Sequence, residues 1–220
     1  MNIEDTLREV SKGPCGCNED EYSYLHHIAT ADLKDIEGDL LEIGSWFGSS
    51  TVVLGSAAQE LDCQLVSIDT FHLGFFTNED AHEHDKGRDR FDLIRDNQRR
   101  IFDAGVRPWV QTHIGDSVRT GDTLELKAIR LLWIDGDHRY AKAREEFRRF
   151  AGSVSVGGVA VFHDCQMKGV TRSIADLITS GDLGNWTEQQ LPEVGTPLMM
   201  DKYGISNKEY WRIRTFRKDA

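Results

Sequence analysis

Short apolar runs alternate with apolar stripes at helical spacing along most of this chain. Ile3, Leu7 and Val10 form the first stripe, which Lys12-Gly13-Pro14 interrupts. Tyr22, Leu25, Ala29, Leu33 and Ile36 keep one face, predicting an amphipathic helix over about 19–37 that Gly38 ends. Leu40-Leu41-Glu42-Ile43 then reads as a strand, with a helix to about Glu60 behind it. Gln64 to Asp69 is a second strand. Phe91, Ile94, Gln98, Ile101 and Phe102 mark a helix that Gly105 stops. Trp109 to Ile114 and Ile129 to Ile134 are the third and fourth strands. The fourth is apolar on both faces, as a central parallel strand should be. Tyr140, Ala143, Phe147, Phe150 and Ala151 line the next helix. Gly157-Gly158 then turns the chain into a fifth strand, Val159 to Phe162, and Val170, Ile174, Leu177 and Ile178 mark a helix after it. Trp186 to Leu191, Thr196 to Met200 and Tyr210 to Phe216 look extended with no helical stripe between them. They predict an antiparallel hairpin at the sheet edge.

Strand and helix in alternation imply an α/β fold. The expected architecture is an open, mostly parallel, doubly wound sheet of Rossmann-like type with an antiparallel C-terminal edge. At 220 residues one domain is expected, occupying residues 38–220. Residues 1–37 form a helical segment that packs on the sheet, caps the ligand or pairs with another subunit to give a homo-oligomer. Thr70 to Gly87 carries His72, His82 and His84 and is too long for an ordinary connection, so it is a candidate lid.

The chemistry gathers at strand ends, where open α/β sheets bind ligands. Leu40 to Thr51 reads as strand, tight turn and helix. Gly44 and Gly48 allow backbone angles closed to other residues and a close ligand approach. Ser45 lies in the turn, and Ser49 or Ser50 can cap the helix. Glu42, at the strand end, is poised to accept hydrogen bonds. Asp69, followed by Thr70, ends the second strand, where a carboxylate can hold a ribose diol. Asp116 and Ser117, after the third, can read an adenine edge. Asp135 and His138 follow the fourth strand, and His163 and Asp164 follow the fifth. Two carboxylates on adjacent strand ends suit magnesium or another divalent metal, with positions left for substrate oxygens. His138 is then a candidate base for a metal-polarised hydroxyl.

Charge and composition narrow the partners. The formal net charge is −11, from 26 bases and 37 acids, which argues against a nucleic-acid binder. No apolar run reaches the length of a membrane span. The N-terminus lacks a signal-peptide pattern, so the cytoplasm is the expected compartment. The four cysteines make no disulfide framework. Cys15-Gly16-Cys17 supplies too few thiols to close a zinc site, and a structural role is the favoured reading. His82-Glu83-His84 reads as a solvated face before it reads as a metal site.

Glu42-x-Gly44-x-x-x-Gly48-x-Ser50 resembles the first motif of class I S-adenosylmethionine (SAM) methyltransferases. It matches neither the dinucleotide fingerprint nor a phosphate loop. With Ser67-Ile68-Asp69, Trp133-Ile134-Asp135-Gly136-Asp137-His138-x-Tyr140, Gly157-Gly158-x-x-x-x-His163-Asp164 and Gly169-Val170, the resemblance spans about residues 38–180. The family in view includes cephamycin-type and macrolide-sugar O-methyltransferases. It implies a seven-stranded sheet with one antiparallel strand, SAM in the pocket and often a divalent metal. It also implies metal ligation by Asp135 and Asp164, with His138 as base. His163 stands where several metal-dependent relatives carry a carboxylate. An imidazole ligand there would favour manganese, iron or zinc over magnesium. The leading expectation is O-methylation of a small hydroxylated acceptor such as a sugar, polyketide or catechol-like unit. A nicotinamide-dependent oxidoreductase on the same fold and a non-catalytic SAM-binding module are the competing readings.

Overall fold

The computed structural model describes residues 3–72, 88–189 and 212–220. Helix α1 (Ile3–Val10) and helix α2 (Glu19–His27) precede the first strand, β1 (Asp39–Ile43). Then follow α3 (Ser49–Leu61), β2 (Leu65–Asp69), α4 (Arg90–Asp103), β3 (Val110–Ile114), α5 (Ser117–Thr123) and β4 (Ile129–Ile134). The chain continues through α6 (Tyr140–Phe150), β5 (Val154–Phe162), α7 (Lys168–Ser180), β6 (Trp186–Glu188) and β7 (Arg214–Lys218). Among the described residues, seven strands form one sheet in the order β3-β2-β1-β4-β5-β7-β6. Strands β1 to β5 pair in parallel, and β7 runs antiparallel to both β5 and β6. The sheet is therefore Rossmann-like and doubly wound, with the antiparallel edge that the tail pattern predicts. Thr196 to Met200 and His82-Glu83-His84 lie outside the described residues, as does most of the candidate lid.

Alternating side chains on the central strands feed two cores. Leu40, Leu131, Trp133, Val159 and Val161 meet α1, α2 and α3 on one face. Leu41, Ile43, Leu132, Ile134, Ala160 and Phe162 meet α6 and α7 on the other. The N-terminal helices belong to the first core. Leu7, Val10, Tyr22 and Leu25 pack with Val52, Val53 and Leu54 of α3. Among the described residues, no helix is long and apolar enough to cross a membrane.

Four local expectations are corrected. The second helix does not run to residue 37: a π-turn, Ile28–Asp32, follows α2, and Leu33 closes it. Gly38 instead lets β1 begin beside β4, because a Cβ there would lie 2.5 Å from the Ala128 carbonyl oxygen. On α4, Phe91 and Phe102 are exposed, and Leu93, Asn97 and Ile101 face inward. Strand β5 starts at Val154 and passes through Gly157-Gly158, with an irregular register against β4 between Ile129 and Leu131. The N-cap of α3 is Gly48 in a left-handed conformation, with φ +84°, so neither Ser49 nor Ser50 occupies that position.

Candidate active site

The turn after β1 is built around one carboxylate. Asp69, at the end of β2, accepts hydrogen bonds at Oδ2 from the backbone amides of Ser45 (2.6 Å) and Trp46 (2.8 Å). Its Oδ1 accepts from the Phe71 amide at 2.5 Å. Oδ2 thus fastens the turn after β1 and Oδ1 the segment after β2, where Thr70 accepts from the His72 amide. Asn97 reinforces the turn from α4, donating to Ser45 Oγ and to the Trp46 carbonyl, each at 3.2 Å. Hydrogen bonds to a charged acceptor are worth about 1.5–3 kcal/mol each, and a buried amide left without a partner costs a similar amount. Asp69→Ala is therefore expected to lower stability by about 3 kcal/mol, read as a shift in the urea midpoint with the slope unchanged. A loss below about 1 kcal/mol would show that solvent satisfies the turn instead.

Glu42 lies beneath this turn, fully buried. Its Oε2 accepts from Thr51 Oγ1 (2.7 Å) and Ser67 Oγ (2.6 Å), while Oε1 has no partner among the described residues. Burial pushes its pKa up to about 7, against the pull of hydrogen bonds from Ser50, Ser67 and Thr51. Ser49 points elsewhere: its hydroxyl donates to the Pro14 carbonyl (2.9 Å) and accepts from Arg100. Asp116 caps α5, accepting from the Arg119 amide (3.1 Å) and from Lys142 Nζ (2.6 Å). Burial opposes its charge, but the Lys142 and Arg119 bonds hold it below the usual carboxylate range. Ser117 donates to Glu146 Oε1 at 2.6 Å.

Asp135, His138 and Asp164 converge beyond β4 and β5, each offering a ligand atom within 4.8 Å of the others. His138 Nε2 lies 3.2 Å from Asp164 Oδ2 and 3.7 Å from Asp135 Oδ1. It is buried and aligned for a hydrogen bond with neither. Burial alone would lower its pKa, yet the two flanking carboxylates raise it to about 10. Burial likewise opposes ionisation of Asp164, but His138 and His163 outweigh it and hold the carboxyl far below its ordinary range. Asp164 adopts φ +50°. Its Oδ1 also accepts from Gln166 (2.6 Å) and Arg212 (3.2 Å).

His163 borders this group. Its Nδ1 is 2.9 Å from Asp135 Oδ1, and its Nε2 faces Cys17 and Glu21. Nδ1 also lies 3.6 Å from Asp164 Oδ2, so the ring touches both carboxylates and orients Asp135. Residues missed in the sequence are Glu21, Asn97, Glu146 and Arg212. Glu146 carried a readable signal, since it falls on the inward stripe of α6 between Ala143, Phe147 and Phe150. Arg212 and Glu21 did not: they meet across nearly the whole chain, Nη1 to Oε2 at 3.0 Å.

A strand order with its reversal between β1 and β4, a glycine turn at that point and acids on successive strand ends define a Rossmann-like methyltransferase fold. Residues 41–165 match a family model described as a methyltransferase domain, and the chain belongs to that family. Solved structures agree on the fold. The O-methyltransferase TomG from Streptomyces achromogenes, involved in tomaymycin synthesis and solved with SAM, superposes with a TM-score of 0.66 at 16% identity. That match covers 99% of this chain and 89% of that one. An O-methyltransferase from Bacillus cereus in complex with SAH gives 0.62 at 15% identity, covering 98% and 90%. The TDP-rhamnose 3'-O-methyltransferase of calicheamicin biosynthesis gives 0.59 at 13% identity, covering 98% and 92%.

Proposed function

We propose that this methyltransferase transfers the SAM methyl group to a hydroxyl of a small molecule carrying two adjacent oxygens, with a divalent metal at the acceptor. The imidazole of His138 set between two carboxylates, its Nε2 3.2 Å from Asp164 Oδ2, carries this reading. Asp135 and Asp164 would hold the metal, and His138 would take the acceptor's proton. The donors fit: two carboxylates suit magnesium or manganese, with the remaining positions left for substrate oxygens and water. A bound dication would supply charge that stabilises the acceptor as an oxyanion. The structures with SAM or SAH, and the sugar methyltransferase among the similar folds, support the cofactor and the acceptor class.

SAM carries its own leaving group, so alignment and deprotonation are the protein's tasks. His138 can accept a proton only when neutral. Beside two bare carboxylates its pKa of about 10 keeps it cationic at neutral pH. About one molecule in three hundred would then hold a neutral imidazole at pH 7.5. With Asp135 and Asp164 neutralised by a bound cation, His138 would lose the charge that retains its proton.

Thermal shift and single-turnover methyl transfer test this proposal. SAM or SAH at about 100 times its dissociation constant should stabilise the protein by about 2.7 kcal/mol. NAD should leave it unchanged. Chelated protein should bind SAM yet transfer methyl slowly at pH 7.5, with the rate climbing toward pH 10. Restored manganese should flatten that climb, and His138→Gln should then lower the rate by about a hundredfold. Full activity at pH 7.5 in chelator would remove the metal from the proposal.

A further inference from the structure

Cys17, Glu21 and His163 form a second cluster of potential ligands, apart from the three strand-end residues. Cys17 precedes α2, Glu21 lies in its first turn, and His163 follows β5. Cys17 Sγ lies 3.5 Å from His163 Nε2, and Glu21 Oε1 lies 3.6 Å from the same nitrogen. All three residues are buried, Glu21 and His163 to 1% exposure. Glu21 Oε1 has no hydrogen-bond partner among the described residues. A buried carboxylate oxygen without a donor is costly, and this one faces a thiol and an imidazole.

We propose that Cys17, Glu21 and His163 bind a borderline divalent cation such as zinc. Sulfur, nitrogen and carboxylate oxygen are the donors zinc takes, and three protein ligands leave a fourth position for solvent. The surroundings fit a metal-bound histidine. His163 Nδ1 meets Asp135 Oδ1 at 2.9 Å, the carboxylate–histidine arrangement that fixes the tautomer and directs Nε2 to a metal. The other oxygen of Glu21 is fastened by the Asn18 amide (2.7 Å) and Arg212 (3.0 Å), leaving Oε1 free. On binding, a dication would displace the Cys17 thiol proton to solvent and take the Nε2 lone pair of His163. Burial pushes the thiol up to about 11, so without metal it stays protonated. A coordinated thiol is deprotonated outright. The site ties the segment ahead of α2 to the end of β5 and, through His163, sets the position of Asp135.

Cobalt(II) added to chelated full-length protein tests the site. Thiolate-to-cobalt charge-transfer absorption in the near ultraviolet should appear and saturate. Zinc should erase it. Cys17→Ser should abolish the band, whereas Cys15→Ser and His138→Gln should keep it. Should Cys17→Ser fail to fold, Glu21→Gln, which retains the thiol, should still weaken cobalt at least tenfold. Asp135→Asn should weaken it about 10- to 100-fold. No band in the wild-type protein, a band that follows Cys15, or unchanged affinity in Glu21→Gln would each overturn the proposal.

Discussion

Gly44→Ala is expected to cost about 4 kcal/mol of stability. The backbone at Gly44 sits at φ +89°. A Cβ there would lie 2.2 Å from the carbonyl oxygen of Asp135, 2.5 Å from its carbon and 2.7 Å from Gly136 Cα. Each of these is backbone, so no side chain can swing aside. Nor can the turn retreat freely. The Gly44 amide donates to the Ile68 carbonyl at 2.9 Å, and the Asp135 amide donates to the Ile43 carbonyl at 2.8 Å. Overpacking costs about 1–3 kcal/mol, and the left-handed backbone adds about 1–2. In a chain of this length that sum lowers the melting temperature by roughly 8–16 °C. Gly105→Ala is the matched control. Its φ is +72°, but nothing lies within 4 Å of the position a Cβ would take. It should lose only the backbone contribution, about 1–2 kcal/mol. Equal losses in thermal melts of the two variants would show that the approach to Asp135 contributes nothing. Displacing Asp135 should also weaken methyl transfer in Gly44→Ala and leave it unchanged in Gly105→Ala.

Local patterns made the parallel sheet readable, because each buried strand is an apolar run and each covering helix a stripe. The acids at the strand ends were readable for the same reason: they stand where the apolar runs stop. Glycines misled where the constraint came from a neighbouring strand. Gly157-Gly158 has the composition of a turn, yet Gly158 lies inside β5 because a Cβ there would sit 2.9 Å from the Arg130 carbonyl of β4. The face of α4 was misread because its inward residue Asn97 is polar and fully buried, held by the turn after β1. The roles of Cys17, Glu21 and Arg212 had no local signature. Cys17 and His163 are 146 positions apart, and only the packing of α2 over the strand ends brings them into contact. The same limit applied to Asp69. Its place at a strand end was visible, but not that three backbone amides would occupy its oxygens.

Stability should fall by about 4 kcal/mol between pH 4.5 and 8 because of Glu146 alone. This side chain is 1% exposed, and its Oε2 lacks a partner among the described residues. Burial pushes its pKa from 4.5 to about 8, and Asp137 and Asp116 push the same way. The hydrogen bond from Ser117 and the charge of Lys142 oppose them without prevailing. Across that interval the folded state keeps a proton that the unfolded state has released. Stability therefore declines as pH rises through it and levels off above about 8. At about 1.4 kcal/mol per pH unit the full window would give about 5 kcal/mol, and partial titration at its two ends brings the loss to about 4. Glu146→Gln replaces the protonated carboxyl with a neutral group of similar shape and should abolish this contribution. Glu42, raised to about 7, adds a slope of the same sign in both proteins, so the difference between them isolates Glu146. Near pH 5 the two should melt within a degree or two of each other. By pH 8.5 the variant should melt roughly 8–16 °C higher. Parallel melting profiles across the whole range would mean that Glu146 ionises normally in the folded protein, and that water or a cofactor group partners its free oxygen.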